Sequence, residues 1–200
     1  MLRLVFLPLL LIGAILFAIT IGRYPLSIGD IVSFFQAMVG LKPMALDRYQ
    51  LLHNIIVEIR LPRILGAGLV GAALASSGAA FQAVFRNPLV SPGILGVLGG
   101  ASFGAALGIL LFGNWALIQL SAFAMGLVAV GVGLLIANMF GQASMIMLVL
   151  GGMISAALFT SALSIVKYTA DPYEQLPAIV YWLMGSLRGL DMTQIRWAAI

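Results

Sequence analysis

The sequence runs to 200 residues, of which 62% are hydrophobic and only 8% charged, with a formal net charge of +4. A soluble globular domain carries about 25% charged residues, so a water-covered fold is excluded and the hydrocarbon core of a bilayer is the fitting solvent. The absence of cysteine excludes disulfides, thiolate zinc sites, iron–sulfur clusters and a cysteine nucleophile. The spread-out positive charge forms no run suited to nucleic acid.

Charge positions divide the chain. Residues 4–22 are 19 uncharged positions between Arg3 and Arg23, about enough to cross a bilayer. They read as a retained first span, because Ala18-Ile19-Thr20 is a poor cleavage site for a signal peptide. Residues 23–63 form a polar interval, and residues 64–85 are 22 uncharged positions that make a second span. From Asn87 to Val166 there are 80 positions without a charge, which at about 20 residues per crossing holds three spans. Turn residues punctuate this stretch. Arg86-Asn87-Pro88 and Pro92-Gly93 precede a third span at about 94–112. Gly113-Asn114 precedes a fourth at about 115–137, and Asn138 with Gly141-Gln142 precedes a fifth at about 144–166. Residues 168–194 read as an amphipathic connector whose Tyr181-Trp182 suits an interfacial belt. An apolar stretch restarts at Ile195. Alternating ten-residue segments of barrel type do not occur. The expected fold class is all-α: a polytopic membrane helical bundle with five complete spans and the start of a sixth, in one transmembrane domain over residues 1–200.

Three sets of small residues recur every fourth position. They are Gly96, Gly100, Gly104 and Gly108; Ala67, Gly71, Ala75 and Ala79; and Gly152, Ala156, Thr160 and Ser164. Small faces let helix backbones approach closely where lipid offers no hydrophobic drive, so a packing role is expected.

Chemistry-bearing motifs are few. Gly66-Ala67-Gly68-Leu69-Val70-Gly71 spells GxGxxG, but inside an expected span and with no acid until Asp171, so it is not a dinucleotide site. No Walker A sequence occurs, so any ATPase must be another polypeptide. His53 is the single histidine and reads as a surface residue, not a metal ligand. Ser76 and Ser77 have no histidine or carboxylate near them in sequence. No catalytic residue, cofactor or metal site is expected. None of the five expected spans holds a carboxylate, which argues against an ion-coupled secondary transporter, although unwound carbonyls can bind sodium.

Four separated blocks carry a resemblance. IRLPR at 59–63, GAALASSGAAFQ at 71–82, RNPLVSPGILGV at 86–97 and ADPYEQLPAIVYWLMGSLRGLD at 170–191 resemble the FecCD-type permeases of ABC importers for iron–siderophores, haem and cobalamin. The resemblance implies a ten-span fold in the cell inner membrane, of which this chain would be the N-terminal portion, truncated before the loop that couples to the ATPase. It implies a pairing with a second permease subunit, homo- or heterodimeric. An extracytoplasmic substrate-binding protein would dock outside, and cytoplasmic ATPase subunits inside. Residues 22–63 become an extracytoplasmic loop, although the positive-inside rule alone would place its arginines inside. Arg60 and Arg63 match positions whose guanidinium groups meet carboxylates of the binding protein, a pairing the arginine fork suits. Gln142, Ala143 and Ser144 match the cytoplasmic gate of the pathway. Arg86, Asn87 and Pro88 match a structural turn. The implied cargo is an iron(III) chelate, with haem, cobalamin or a molybdate-type oxyanion as alternatives. A secondary transporter and a non-functional membrane fragment remain as readings of another class.

Overall fold

The computed structural model describes residues 2–139 and 144–198. Among these residues the regular structure is all helical, without a strand. Nine α-helices follow in order: α1 Leu2–Thr20, α2 Ile28–Met38, α3 Leu46–His53, α4 Leu61–Phe85, α5 Val97–Leu111, α6 Trp115–Met139, α7 Met145–Thr169, α8 Gln175–Met184 and α9 Met192–Ala198. A π-helical segment, Asn54–Arg60, joins α3 to α4 without a break, and a 3₁₀ turn, Pro92–Leu95, precedes α5.

Among the described residues three stretches are long and apolar enough to cross a membrane: Leu46–Phe85, Trp115–Met139 and Met145–Thr169. Phe6–Thr20 and Val97–Leu111 are apolar but shorter. The expected third span is thus reduced. Pro92 opens the 3₁₀ turn and Gly96 follows it in the left-handed conformation at φ 83°, so α5 starts only at Val97. Its 15 residues rise about 22 Å, less than the roughly 30 Å of a hydrocarbon core. The interval 22–63 is itself largely helical, and the expected connector 168–194 contains α8.

The chain divides into two compact units. The first comprises Met1–Ala73 and Leu187–Ile200, the second Leu74–Ser186. In the first, α2 is fixed by a capping box: Asp30 N–H donates to Ser27 Oγ at 3.0 Å, and Ser27 N–H donates to Asp30 Oδ2 at 3.1 Å. Leu26, Phe34, Leu52 and Ile56 form its apolar core. His53 lies there edge-on to Phe34 and tilted against Tyr49, with ring centroids 6.3 and 6.1 Å apart. It is a packed residue more than a surface one.

The second unit is held by backbone proximity. A methyl on Gly104 would meet the Ser121 carbonyl oxygen and Met125 Cβ, and one on Gly100 would meet the Met125 carbonyl and Ala129 Cβ. Gly151 of α7 stands as closely against the Gly133 carbonyl of α6. Two hydroxyls bridge helices: Ser155 Oγ donates to the Ala129 carbonyl at 2.6 Å and Ser121 Oγ to that of Gly104 at 2.7 Å. Ala106, Leu163, Val166 and Ile179 close an apolar cluster from α5, α7 and α8.

Candidate docking and pathway residues

Arg60 is the last residue of the π segment. An inserted π turn rotates the residues after it relative to an α-helix, and such turns are common at functional positions. Here Arg60 is only 8% exposed. Its Nη1 donates to the Ile19 carbonyl and its Nη2 to the Tyr24 carbonyl. Ile19 lies in the last turn of α1, where carbonyls lack intrahelical partners, so the guanidinium caps that helix. A methyl on Gly22 would collide with it, at 2.6 Å from Nη2. In this structure the fork expected to face a partner's carboxylate is therefore turned inward. Arg63, one turn on, is half-buried and donates from Nη2 to the Arg188 carbonyl at 3.1 Å. Gly66 leaves room for Leu190 and Ile195 beside this bond.

Around these residues α1, the π segment and α4 line an open groove of about 880 Å³. Arg23, Arg60 and Arg63 line it together with apolar side chains of these elements.

At the far end of α4, Arg86 takes the left-handed conformation at φ 47°. Asn87 N–H returns to the Gln82 carbonyl at 3.3 Å, a helix-ending pattern usually built on glycine. Asn87 Oδ1 accepts from Leu89 N–H at 2.9 Å, and Gln82 Nε2 donates to the Pro88 carbonyl at 3.1 Å. Arg86, Asn87 and Pro88 thus form a stapled turn. Asn87 shares a groove of about 300 Å³ with Phe85, Val90, Met145 and Ile146. Ser144 caps α7 beside this groove, its Oγ accepting from Met147 N–H at 3.3 Å. Gln142 and Ala143 lie outside the described residues.

The glycine set of α5 is divided by role. Gly100, Gly104 and Gly108 are buried against α6, whereas Gly96 is the left-handed cap, close to the Gly152 carbonyl. The set on α7 does not keep one face: Gly152 is buried, and Thr160 and Ser164 are exposed. Steps of four residues drift by about 40° each on a helix of 3.6 residues per turn. With Ser161, these hydroxyls form an uncharged polar strip, two of them bonded back to carbonyls four residues earlier. Sequence reasoning overlooked the strip; the S/T spacing at 160, 161 and 164 was its signal. On α4, a methyl on Gly71 would meet nothing within 4 Å.

Residues 9–200 match the FecCD transport family. The chain belongs to that family. It is a multi-pass protein of the inner membrane. It is 41% identical over 181 residues to the molybdate import system permease protein MolB of Haemophilus influenzae, covering 90% of this chain and 52% of that protein. A probable iron chelatin transport system permease protein of Helicobacter pylori is 40% identical over 136 residues, 68% of this chain and 40% of the relative. A solved structure of a metal-chelate type ABC transporter in an inward-facing conformation matches with TM-score 0.77 and 36% identity, over 98% of this chain and 57% of that one. This chain spans about half the length of the molybdate relative.

Proposed function

We propose that this chain serves as membrane-spanning permease of an ATP-driven importer whose cargo is an iron(III) chelate delivered by an extracytoplasmic binding protein. The match to the transport family along residues 9–200 carries the proposal. ATP hydrolysis belongs to separate cytoplasmic subunits, and a second permease subunit completes the pathway. The iron-chelatin relative and the metal-chelate transporter structure favour a chelate. A molybdate cargo is the second reading, favoured by the 41% identity to the molybdate permease over 90% of the chain.

In this proposal residues 22–63 are extracytoplasmic and receive the binding protein. Arg60 and Arg63 serve that surface from behind, Arg60 by tying the end of α1 and Arg63 by tying the start of α4 to the Arg188 carbonyl. Gln142, Ala143 and Ser144 close the pathway on the cytoplasmic side. Thr160, Ser161 and Ser164 offer the pathway an uncharged hydroxyl face.

Two experiments test this. Cells with and without the protein are given radioactive ferric siderophore or radioactive molybdate. Iron uptake is expected to be lost and molybdate uptake retained; the reverse pattern would establish the second reading. The lack of cysteine makes single-cysteine labelling clean. Leu41→Cys, at a site 77% exposed, is expected to react with an impermeant maleimide in intact cells. Leu89→Cys, at a site 88% exposed, is expected to react only after permeabilisation. Exchanged labelling would invert the topology.

A further inference from the structure

We infer that the π segment Asn54–Arg60 is a register switch, held by Pro62 and by the seat of Arg60, through which α2 and α3 turn as one piece against α4. This goes beyond the importer reading and does not depend on it. The segment lies within one unbroken helical stretch of 40 residues, Leu46–Phe85. Turns of π type are rare inside helices, so this one needs a cause. Pro62 supplies it. A proline inside a helix has no N–H to give, and its ring crowds the carbonyl four residues back, here that of Glu58. Just upstream the helix has widened: Leu61 N–H donates to the Ile56 carbonyl, five residues back. The Pro62 side chain is fully buried, so the ring keeps its place while the chain before it adapts.

The second restraint is Arg60. Its guanidinium joins the Ile19 carbonyl of α1 to the Tyr24 carbonyl of the linker that leads into α2. Gly22 makes room for it, since a methyl there would stand 2.6 Å from Nη2. The chain entering α2 is thereby pinned to the end of α1. Beyond that pin, α2 and α3 form one body. Leu26, Phe34, Leu52 and Ile56 share a core. Arg48 bonds Asp30 at 2.6 Å, and the Phe34 and Tyr49 rings lie 5.5 Å apart. A π turn holds one residue more than an α turn, and one residue is about 100° on an α-helix. Passage to the α register therefore turns α3 by about that angle against α4. Packed helix axes lie about 10 Å apart, so α2, carried on α3, would swing by about 15 Å. The linker must leave Arg60 for this to happen.

The test measures a distance by pulsed electron resonance in the protein as encoded in full, held in lipid nanodiscs without cargo or other subunits. Nitroxides are attached through Met38→Cys on α2 and Val70→Cys on α4; these 200 residues hold no cysteine to compete. The parent is expected to show one distance. Pro62→Ala removes the crowding of the Glu58 carbonyl. Gly22→Ala pushes the guanidinium from its seat and keeps its donors. Each is expected to add a second distance, displaced by roughly 5 Å or more for a swing of that size. The two together are expected to make it the main one. Gly71→Ala, whose methyl would meet nothing within 4 Å, is expected to keep the parent distance. Deleting Glu58, an exposed residue of the π segment, removes the one residue by which the registers differ. In the Gly22→Ala, Pro62→Ala background this deletion is expected to bring the parent distance back. The parent distance alone in that double variant would overturn the inference. So would a displaced distance that survives the deletion, which would mean a loosened loop and no change of register.

Discussion

The two units of this chain are held together by different means. In the second, helices touch through glycine and alanine, and backbone carbonyls of one helix lie against the Cα atoms of another. In the first, the ends of helices are tied by polar side chains: Ser27 and Asp30 cap α2, Arg48 pairs with Asp30, and Arg60 caps α1. The difference teaches where each device works. Within apolar spans, close approach replaces the hydrophobic drive that lipid cannot supply. At helix ends, unpaired carbonyls and amides must find partners, and charged side chains supply them.

The sharpest way to break the comparison is to enlarge a contact glycine in the second unit. Gly104→Leu forces the side chain into the Ser121 carbonyl and Met125, and is expected to cost about 3 kcal/mol or more. Thermal unfolding in detergent checks this. Gly71→Ala serves as control: its site is open, and alanine is expected to raise stability by about 0.5 kcal/mol through helix propensity.

In the first unit, Arg60→Met keeps an unbranched apolar stem and removes the guanidinium and its donors. The Ile19 and Tyr24 carbonyls then lose their partner, at an expected cost of about 2 kcal/mol. Hydrogen exchange should accelerate at the end of α1 and leave α5 to α7 unchanged. Acceleration throughout would show that the two units are not held separately.

Arg86→Gly acts in the opposite direction. The residue is left-handed at φ 47°, a conformation that costs an L side chain about 1 kcal/mol. The variant is therefore expected to gain stability of that order, measured by the same thermal unfolding.

The smallest effect concerns pH. Hydrogen bonds from Ser27, then Arg48, hold the Asp30 carboxyl below its usual range. A depressed carboxylate contributes stability that is present above its unfolded value, near pH 4, and lost as pH falls through the lower folded value. Amide exchange at the start of α2 is expected to be slow at pH 5 and to quicken, after correction for intrinsic rates, below pH 4. In Asp30→Asn that pH dependence should vanish.

Much of the helical pattern was legible from charge spacing and turn residues. Helices α4, α6 and α7 begin and end within a few residues of the expected spans, because Arg63, Arg86, Asn114 and Asn138 mark the ends of apolar runs. The helices of the 22–63 interval were not legible, since charge density locates an interface and says nothing of the backbone there. The inward turn of Arg60 was also hidden. It depends on a carbonyl 41 positions away and on a π segment that no local pattern announces. The fourfold repeat on α7 was visible, but its rotation away from the packed face follows only when the helical drift is counted.

On the proposed function, cargo moves with energy from ATP. The most direct measurement is uptake of ferric siderophore into proteoliposomes holding the protein as encoded in full, its binding protein and its ATPase. Uptake that requires ATP and the binding protein, and that persists when ion gradients are dissipated, is the predicted result. Uptake that ignores ATP and collapses with an ion gradient would contradict the account.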